Sequence, residues 1–200
     1  MLNLKDNISQ MVIKAIENAK FHNINLVPGT RNPALGDCIF ESVIDNINRR
    51  DCFEENLIED PSYWRHVWMS EIESIGYDDW NEGRTREEWE SEFNTLKKPT
   101  VYRVPLGDLV PPGIAHCIKK NLIIFNTSPG AHCPIYVVPA TLFGGFADTD
   151  VPVCLAYNLV HYESLIPCSD ADIQKTVTLS QKVLFDSAQN ILRKIIHIYR

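Results

Sequence analysis

Apolar positions recur at helical spacing in the first hundred residues and again at the end of the chain, while from Pro99 to Pro167 they gather into short continuous runs. From Asn7 to Lys20, Ile8, Met11, Val12, Ala15, Ile16 and Ala19 form one stripe, which predicts an opening helix. Pro28 to Pro33, with Gly29 and Asn32, breaks that period and predicts a loop. Behind it Phe40, Val43, Ile44 and Ile47 step by three and four, so a second helix opens at Cys38. It is expected to end near Arg49 and Arg50, cations suited to a helix C-terminus. Residues 51–98 are highly charged and hold Trp64, Trp68, Trp80 and Trp89, with helical spacing over Tyr63 to Ile72 and Arg86 to Leu96. This stretch reads as a small helical subdomain. Trp64, Trp68 and Ile72 share a face, which is read as an anchor onto the main core in preference to a partner-binding stripe.

After Pro99, Val101 to Val104, Leu122 to Phe125, Ile135 to Val138 and Val151 to Tyr157 are β-rich runs bounded by turn residues, and each predicts a strand. Asn158-Leu159-Val160 is a tight connection, after which His161 starts an outgoing strand to Leu165. Pro111, Pro112 and Gly113 introduce a short helix at Ile114 to Lys120. Ser169 and Asp170 cap a long last helix, over 169–200, whose Ile173, Val177, Leu184, Ala188, Ile191 and Ile195 lie on one face. The expected fold is α/β (α+β): a small central sheet flanked by helices, with a helical insertion.

Two hundred residues with 44% apolar side chains suit one compact domain over residues 1–200. A formal charge of −7 argues against a broad nucleic-acid surface and favours cationic partners. No run approaches the roughly 18 apolar residues of a membrane helix, and Met1 to Lys20 carries Asp6 and Glu17 without a signal-peptide core. A soluble cytoplasmic protein with no membrane or nucleic-acid partner is expected. The cysteines at 38, 52, 117, 133, 154 and 168 form no C-x-x-C pair and read as free thiols in a reducing compartment. His116-Cys117 and His132-Cys133 lack the ligand spacing of a structural zinc site, so neither metal nor cofactor is expected.

Candidate chemistry rests on Gly36-Asp37-Cys38-Ile39-Phe40. A cysteine that opens a helix sits among unpaired N–H groups and at the positive end of the macrodipole, which favour the nucleophilic thiolate. The same local pattern also describes an inert core cysteine. His161 by itself is equally a solvated strand-end residue. A helix-opening cysteine followed far downstream by a strand-opening histidine, however, is the arrangement that thiol peptidases assemble in space.

These two segments resemble the signatures of the ovarian tumour (OTU) family of cysteine proteases. The family's Asp-Gly-Asn-Cys-Leu-Phe stands as Leu35-Gly36-Asp37-Cys38-Ile39-Phe40. Its apolar strand, turn and His-Tyr-(Asp/Asn)-Ser-Leu stand as Val153 to Tyr157, Asn158 to Val160, and His161-Tyr162-Glu163-Ser164-Leu165. Ile114-Ala115 and Asn121 to Phe125 resemble the helix and strand placed between them. The resemblance spans about residues 30–167 and implies a papain-like fold and a deubiquitinase. Its partners would be ubiquitin or a ubiquitin-like protein and ubiquitinated substrates. Its location would be the eukaryotic cytosol, or a host cytosol if the source is microbial or viral. Cys38 would be the nucleophile and His161 the base and then the acid, with backbone N–H groups of Gly36, Asp37 and Cys38 receiving the oxyanion.

Leu35 stands where the family has an aspartate, and Glu163 where it has Asp or Asn. Side chains at i and i+2 of a strand share a face, so Glu163 is the expected orienter of His161, with Asn32 and Asn158 as alternatives by residue type. Asp37 replaces an asparagine. A carboxylate beside the thiol would oppose the thiolate, so Asp37 is expected to act through its backbone with its side chain turned away. Gly144-Gly145-Phe146 reads as a turn or a flexible groove wall, and the Trp-rich segment as the part that would contact globular ubiquitin. Two other readings stay open: a catalytically weak ubiquitin-binding module, and a papain-like peptidase or acyltransferase with another substrate.

Overall fold

The computed structural model describes residues 10–32, 36–50, 57, 59–99, 105–131, 133–140 and 151–198. In chain order the elements are α1 (Gln10–Lys20), β1 (Leu26–Pro28), α2 (Cys38–Asn48), α3 (Pro61–Trp80) and α4 (Arg86–Leu96). A 3₁₀ turn (Pro105–Leu109) leads into α5 (Val110–Ile118), and β2 (Leu122–Asn126), β3 (Ile135–Val138), β4 (Val153–Tyr157), β5 (Tyr162–Pro167) and α6 (Asp170–Ile198) follow. The strands form one five-stranded mixed sheet in the order β1-β5-β4-β2-β3. Only β2 and β4 run parallel, with Ile123 opposite Cys154.

Strand alternation divides the core between the two faces of this sheet. Leu122, Ile124, Val153, Leu155 and Tyr162 pack against α2 and, beyond it, Trp68, Met69, Ile72, Ile114 and Ala115. Ile123, Phe125, Cys154, Ala156 and Leu165 pack on the other face against Met11, Val12 and Ala15 of α1 and Leu179 of α6. A helix covered on one side only shows one apolar stripe. α2 instead buries Cys38, Ile39, Phe40, Ser42, Val43, Ile44, Asn46 and Ile47, because the sheet covers one side of it and α3 another. Buried Asn46 fixes its seat, donating from Nδ2 to the Cys154 carbonyl at 3.0 Å and the Leu165 carbonyl at 2.8 Å. The carbonyls belong to neighbouring strands, so one side chain ties α2 to β4 and β5 together.

The helical insertion forms from local signals. Asp60 caps α3 by accepting from the Ser62 and Tyr63 amides at 3.0 and 3.1 Å, with Pro61 at the first helical position. Thr85 and Glu88 form a reciprocal capping box on α4. Trp68 stacks on Phe40 at 5.9 Å between centroids, and Ile72 is fully buried beside it, so this face of α3 anchors the insertion to α2 as its spacing predicts.

Four expectations are corrected. The loop predicted from Pro28 begins with a short edge strand, β1, continued by the Gly29 N–H donating to the Ser164 carbonyl at 2.9 Å. A Cβ at Gly29 would stand 2.6 Å from that of Ser164, which is why glycine is needed there. The helix predicted at Ile114 to Lys120 begins earlier, at Val110, and takes Pro111 and Pro112 into its first turn, where no intrahelical donor is lost. The last predicted strand starts at Tyr162, one residue after His161. Among the described side chains of α6 the buried ones are Asp172, Thr176, Val177, Leu179 and Ser180, whereas Ala188 is exposed, and the side chains of Ile191 and Ile195 lie outside those described. The run at Val101 to Val104, Leu35, Cys52, His132 and Gly144-Gly145-Phe146 lie outside the described residues. Among the described residues, no helix is long and apolar enough to cross a membrane.

Candidate active site

Cys38 is the first residue of α2 and is 3% exposed. Gly36, at φ +90°, makes the turn into it, a conformation that glycine adopts without steric cost. Asp37 occupies the N-cap, yet its carboxylate makes no capping hydrogen bond. It accepts instead from Arg65 Nε at 2.5 Å. Arg65 is completely buried in α3 and also donates to the Gly36 carbonyl at 2.6 Å and the Leu96 carbonyl at 2.8 Å. Its guanidinium carbon lies 4.5 Å from the centre of the Phe40 ring. The Asp37 carboxylate is thus held by α3 and not by the amides of its own helix.

The antiparallel pairing of β4 with β5 brings His161 to this helix end. Asn158 Oδ1 accepts from the Val160 and His161 amides at 3.3 and 3.0 Å, and Leu159 takes φ +80° to close the turn. The Tyr162 amide then points at the Cys38 sulfur at 3.4 Å. His161 Nε2 lies 3.5 Å from Glu163 Oε1, and both side chains are largely buried. Nδ1 of His161 is buried and has no hydrogen-bond partner. The Cys38 sulfur first, and Glu163 second, hold the imidazolium so well that the His161 pKa rises from 6.5 to about 9, against the opposing cost of burial.

Among the described residues the structure thus gathers Gly36, Asp37, Cys38, His161 and Glu163, and neither Asn32 nor Asn158 hydrogen-bonds the ring. Asn32 donates to the Cys38 carbonyl at 3.2 Å and to Ser42 Oγ at 2.8 Å, bracing the first turn of α2. Asn158 shapes the backbone of the turn. Sequence reasoning missed Arg65 and Asn46. The available signal was the same for both, a polar residue inside an apolar helical face. Glu41, one turn beyond Cys38, is also pushed up by burial and then by Asp37, while His161 pulls it down.

Replacing Glu163 by Gln removes the second cause of the raised His161 pKa, so that pKa should fall below about 9 in an NMR titration of the ring. Turnover should drop on the order of 10²-fold, as for a misoriented base. Unchanged kcat/KM at neutral pH would remove Glu163 from the site.

In this α+β chain a helix that opens on a cysteine packs against an antiparallel hairpin whose turn ends on a histidine. No family model matches the sequence, and no curated protein matches it either. Solved structures are more specific about the type of fold. The OTU domain of OTUD1 superposes with a TM-score of 0.52 at 11% identity, covering 78% of this chain and 93% of that one. An OTU deubiquitinase from Wolbachia pipientis wMel gives 0.51 at 14% identity, covering 76% and 96%. The viral OTU domain protease from Taggert virus gives 0.50 at 16% identity, covering 78% and 84%. The chain has the OTU-domain fold, as its two motif segments lead one to expect.

Proposed function

We propose that this chain is a cysteine-type deubiquitinase that cleaves the isopeptide or peptide bond after the C-terminal glycine of ubiquitin or a ubiquitin-like modifier. The observation that carries the reading is the arrangement of buried Cys38 and Glu163 with half-buried His161, whose Nε2 is 3.5 Å from the carboxylate, on an OTU-type scaffold. Cys38 attacks the glycine carbonyl as a thiolate, and the His161 imidazolium that formed with it protonates the leaving lysine amine. The resulting thioester is hydrolysed by a water that His161 deprotonates. Backbone N–H groups at Gly36, Asp37 and Cys38 supply donors for the oxyanion of both steps, at the positive end of α2. Tyr157, half-buried, stacks at 4.4 Å on Tyr162, the residue whose amide meets the thiol.

The test is covalent capture by ubiquitin bearing a thiol-reactive C-terminal electrophile, followed by peptide mapping. A single adduct at Cys38 is the expected result, and a panel of ubiquitin-chain linkages then defines the substrate. Tight binding of ubiquitin without an adduct would leave a ubiquitin-binding module. Failure of ubiquitin and related probes, with rapid alkylation of Cys38, would move the chain to another acyl substrate.

A further inference from the structure

An aspartate at a helix N-cap ordinarily turns its carboxylate back onto the second or third amide of its own helix, where it gains a hydrogen bond and the field of the dipole. Asp37 is in that position and does not do so. Its φ and ψ of −93° and 1° lie outside the extended region that a capping residue usually occupies. A buried guanidinium reaches it from α3, and the fork is fully engaged by the carboxylate, the Gly36 carbonyl and the Leu96 carbonyl. Arg65 has little freedom to leave, since it is 0% exposed and packed over Phe40.

The amides that an ordinary cap would occupy lie at the helix end where an oxyanion has to be received. A carboxylate placed there, on the Ile39 or Phe40 amide, would stand at the same helix end as the reacting groups and repel both the thiolate and the oxyanion. We propose that Arg65 is a positioning residue, which holds the Asp37 carboxylate away from the α2 N-terminus so that the Gly36-Asp37-Cys38 turn presents only backbone donors to the reacting carbonyl. This rests on the thiol-hydrolase reading of Cys38. It gives the helical insertion a part in turnover as well as in packing: α3 supplies the cation, and the end of α4 fixes it through Leu96. It also accounts for how an aspartate can stand beside the nucleophile at all.

The experiment uses the full chain and ubiquitin carrying a C-terminal aminocoumarin amide, with the folded fraction of each variant measured by near-UV circular dichroism. Arg65→Met frees Asp37 to swing back beside the developing oxyanion, so kcat should fall at least about 30-fold while KM stays within about twofold, as when oxyanion stabilisation is weakened. Alkylation of Cys38 by iodoacetamide, which forms no oxyanion and senses the freed carboxylate through the thiolate alone, should slow by much less than kcat does. Adding Asp37→Ala to Arg65→Met removes the freed carboxylate but keeps the backbone amide, and should recover most of the lost turnover. If Arg65→Met does not fold, this double variant supplies the decision, because it buries no unpaired carboxylate. Wild-type kcat in folded Arg65→Met overturns the proposal. So does a folded double variant that stays 30-fold or more below wild type, since Arg65 would then serve packing of the turn alone. A wild type that neither hydrolyses the amide nor is captured by the ubiquitin probe overturns the thiol-hydrolase reading, and this proposal with it.

Discussion

Cys38→Ala should abolish ubiquitin-amide hydrolysis, with a loss of at least about 10³-fold, because removing a nucleophile leaves only binding and the oxyanion donors. The side chain is small and buried, so alanine leaves little cavity and the variant should fold with nearly unchanged melting behaviour. A second consequence is measurable without substrate. The Cys38 sulfur is the largest cause of the raised His161 pKa, so in Cys38→Ala that pKa should fall from about 9 further than in Glu163→Gln. The sign for stability follows by linkage. A histidine with a raised folded pKa stabilises the fold fully below its unfolded value near 6.5, and that contribution is lost as pH rises through about 9. Wild type should therefore lose stability between those values, and Cys38→Ala should show a flatter profile in urea melts. Hydrolysis retained by Cys38→Ala, or an identical pH profile, would sink the assignment of Cys38 and His161 as a coupled pair.

Trp89→Ala carries the largest expected effect on stability. The indole is fully buried, lies 4.7 Å from the Phe93 ring and 5.9 Å from that of Tyr77 between centroids, and donates from Nε1 to the Glu73 carbonyl at 3.1 Å. Truncation leaves a cavity and removes the indole hydrogen bond, and should cost about 3–5 kcal/mol. For a chain of this size that is a drop in Tm of roughly 10 °C or more. Since Leu96 and Arg65 depend on the same α3–α4 packing, hydrolysis should be lost in the same, lowered transition. A Tm within about 2 °C of wild type would mean that the insertion does not unfold with the rest.

What was legible in the sequence was what local chemistry decides. The stripe of α2 and the helical spacing of α4 lie within a few turns of chain, and the turn Asn158 to Val160 announces itself by residue type. The pairing of Cys38 with His161 was reachable because each sits at an element boundary that can be read separately. Proline and polarity misled where partners lie far away in sequence. β1 is three residues long and exists by pairing with β5, so Pro28 looked like pure punctuation. α6 buries Asp172 and Ser180 because the Asn25 amide donates to Asp172 at 3.1 Å and Asn121 donates to Ser180 at 3.1 Å. A hydrophobic stripe cannot show contacts of that kind. The Arg65–Asp37 pair is invisible for the same reason, since it joins residues 28 apart through two different helices.

The contact between the Tyr162 amide and the Cys38 sulfur spans 124 residues of chain. Its consequence is one of timing. Contacts of such sequence separation close late, because the entropy of the intervening loop must be overcome before they form. During synthesis Cys38 leaves the ribosome long before His161 exists, and the edge strand β1 has to wait for β5 in the same way. A nascent chain that stops short of Pro167 thus carries Cys38 without the strand that packs over it, and the two segments meet only when the last strand docks.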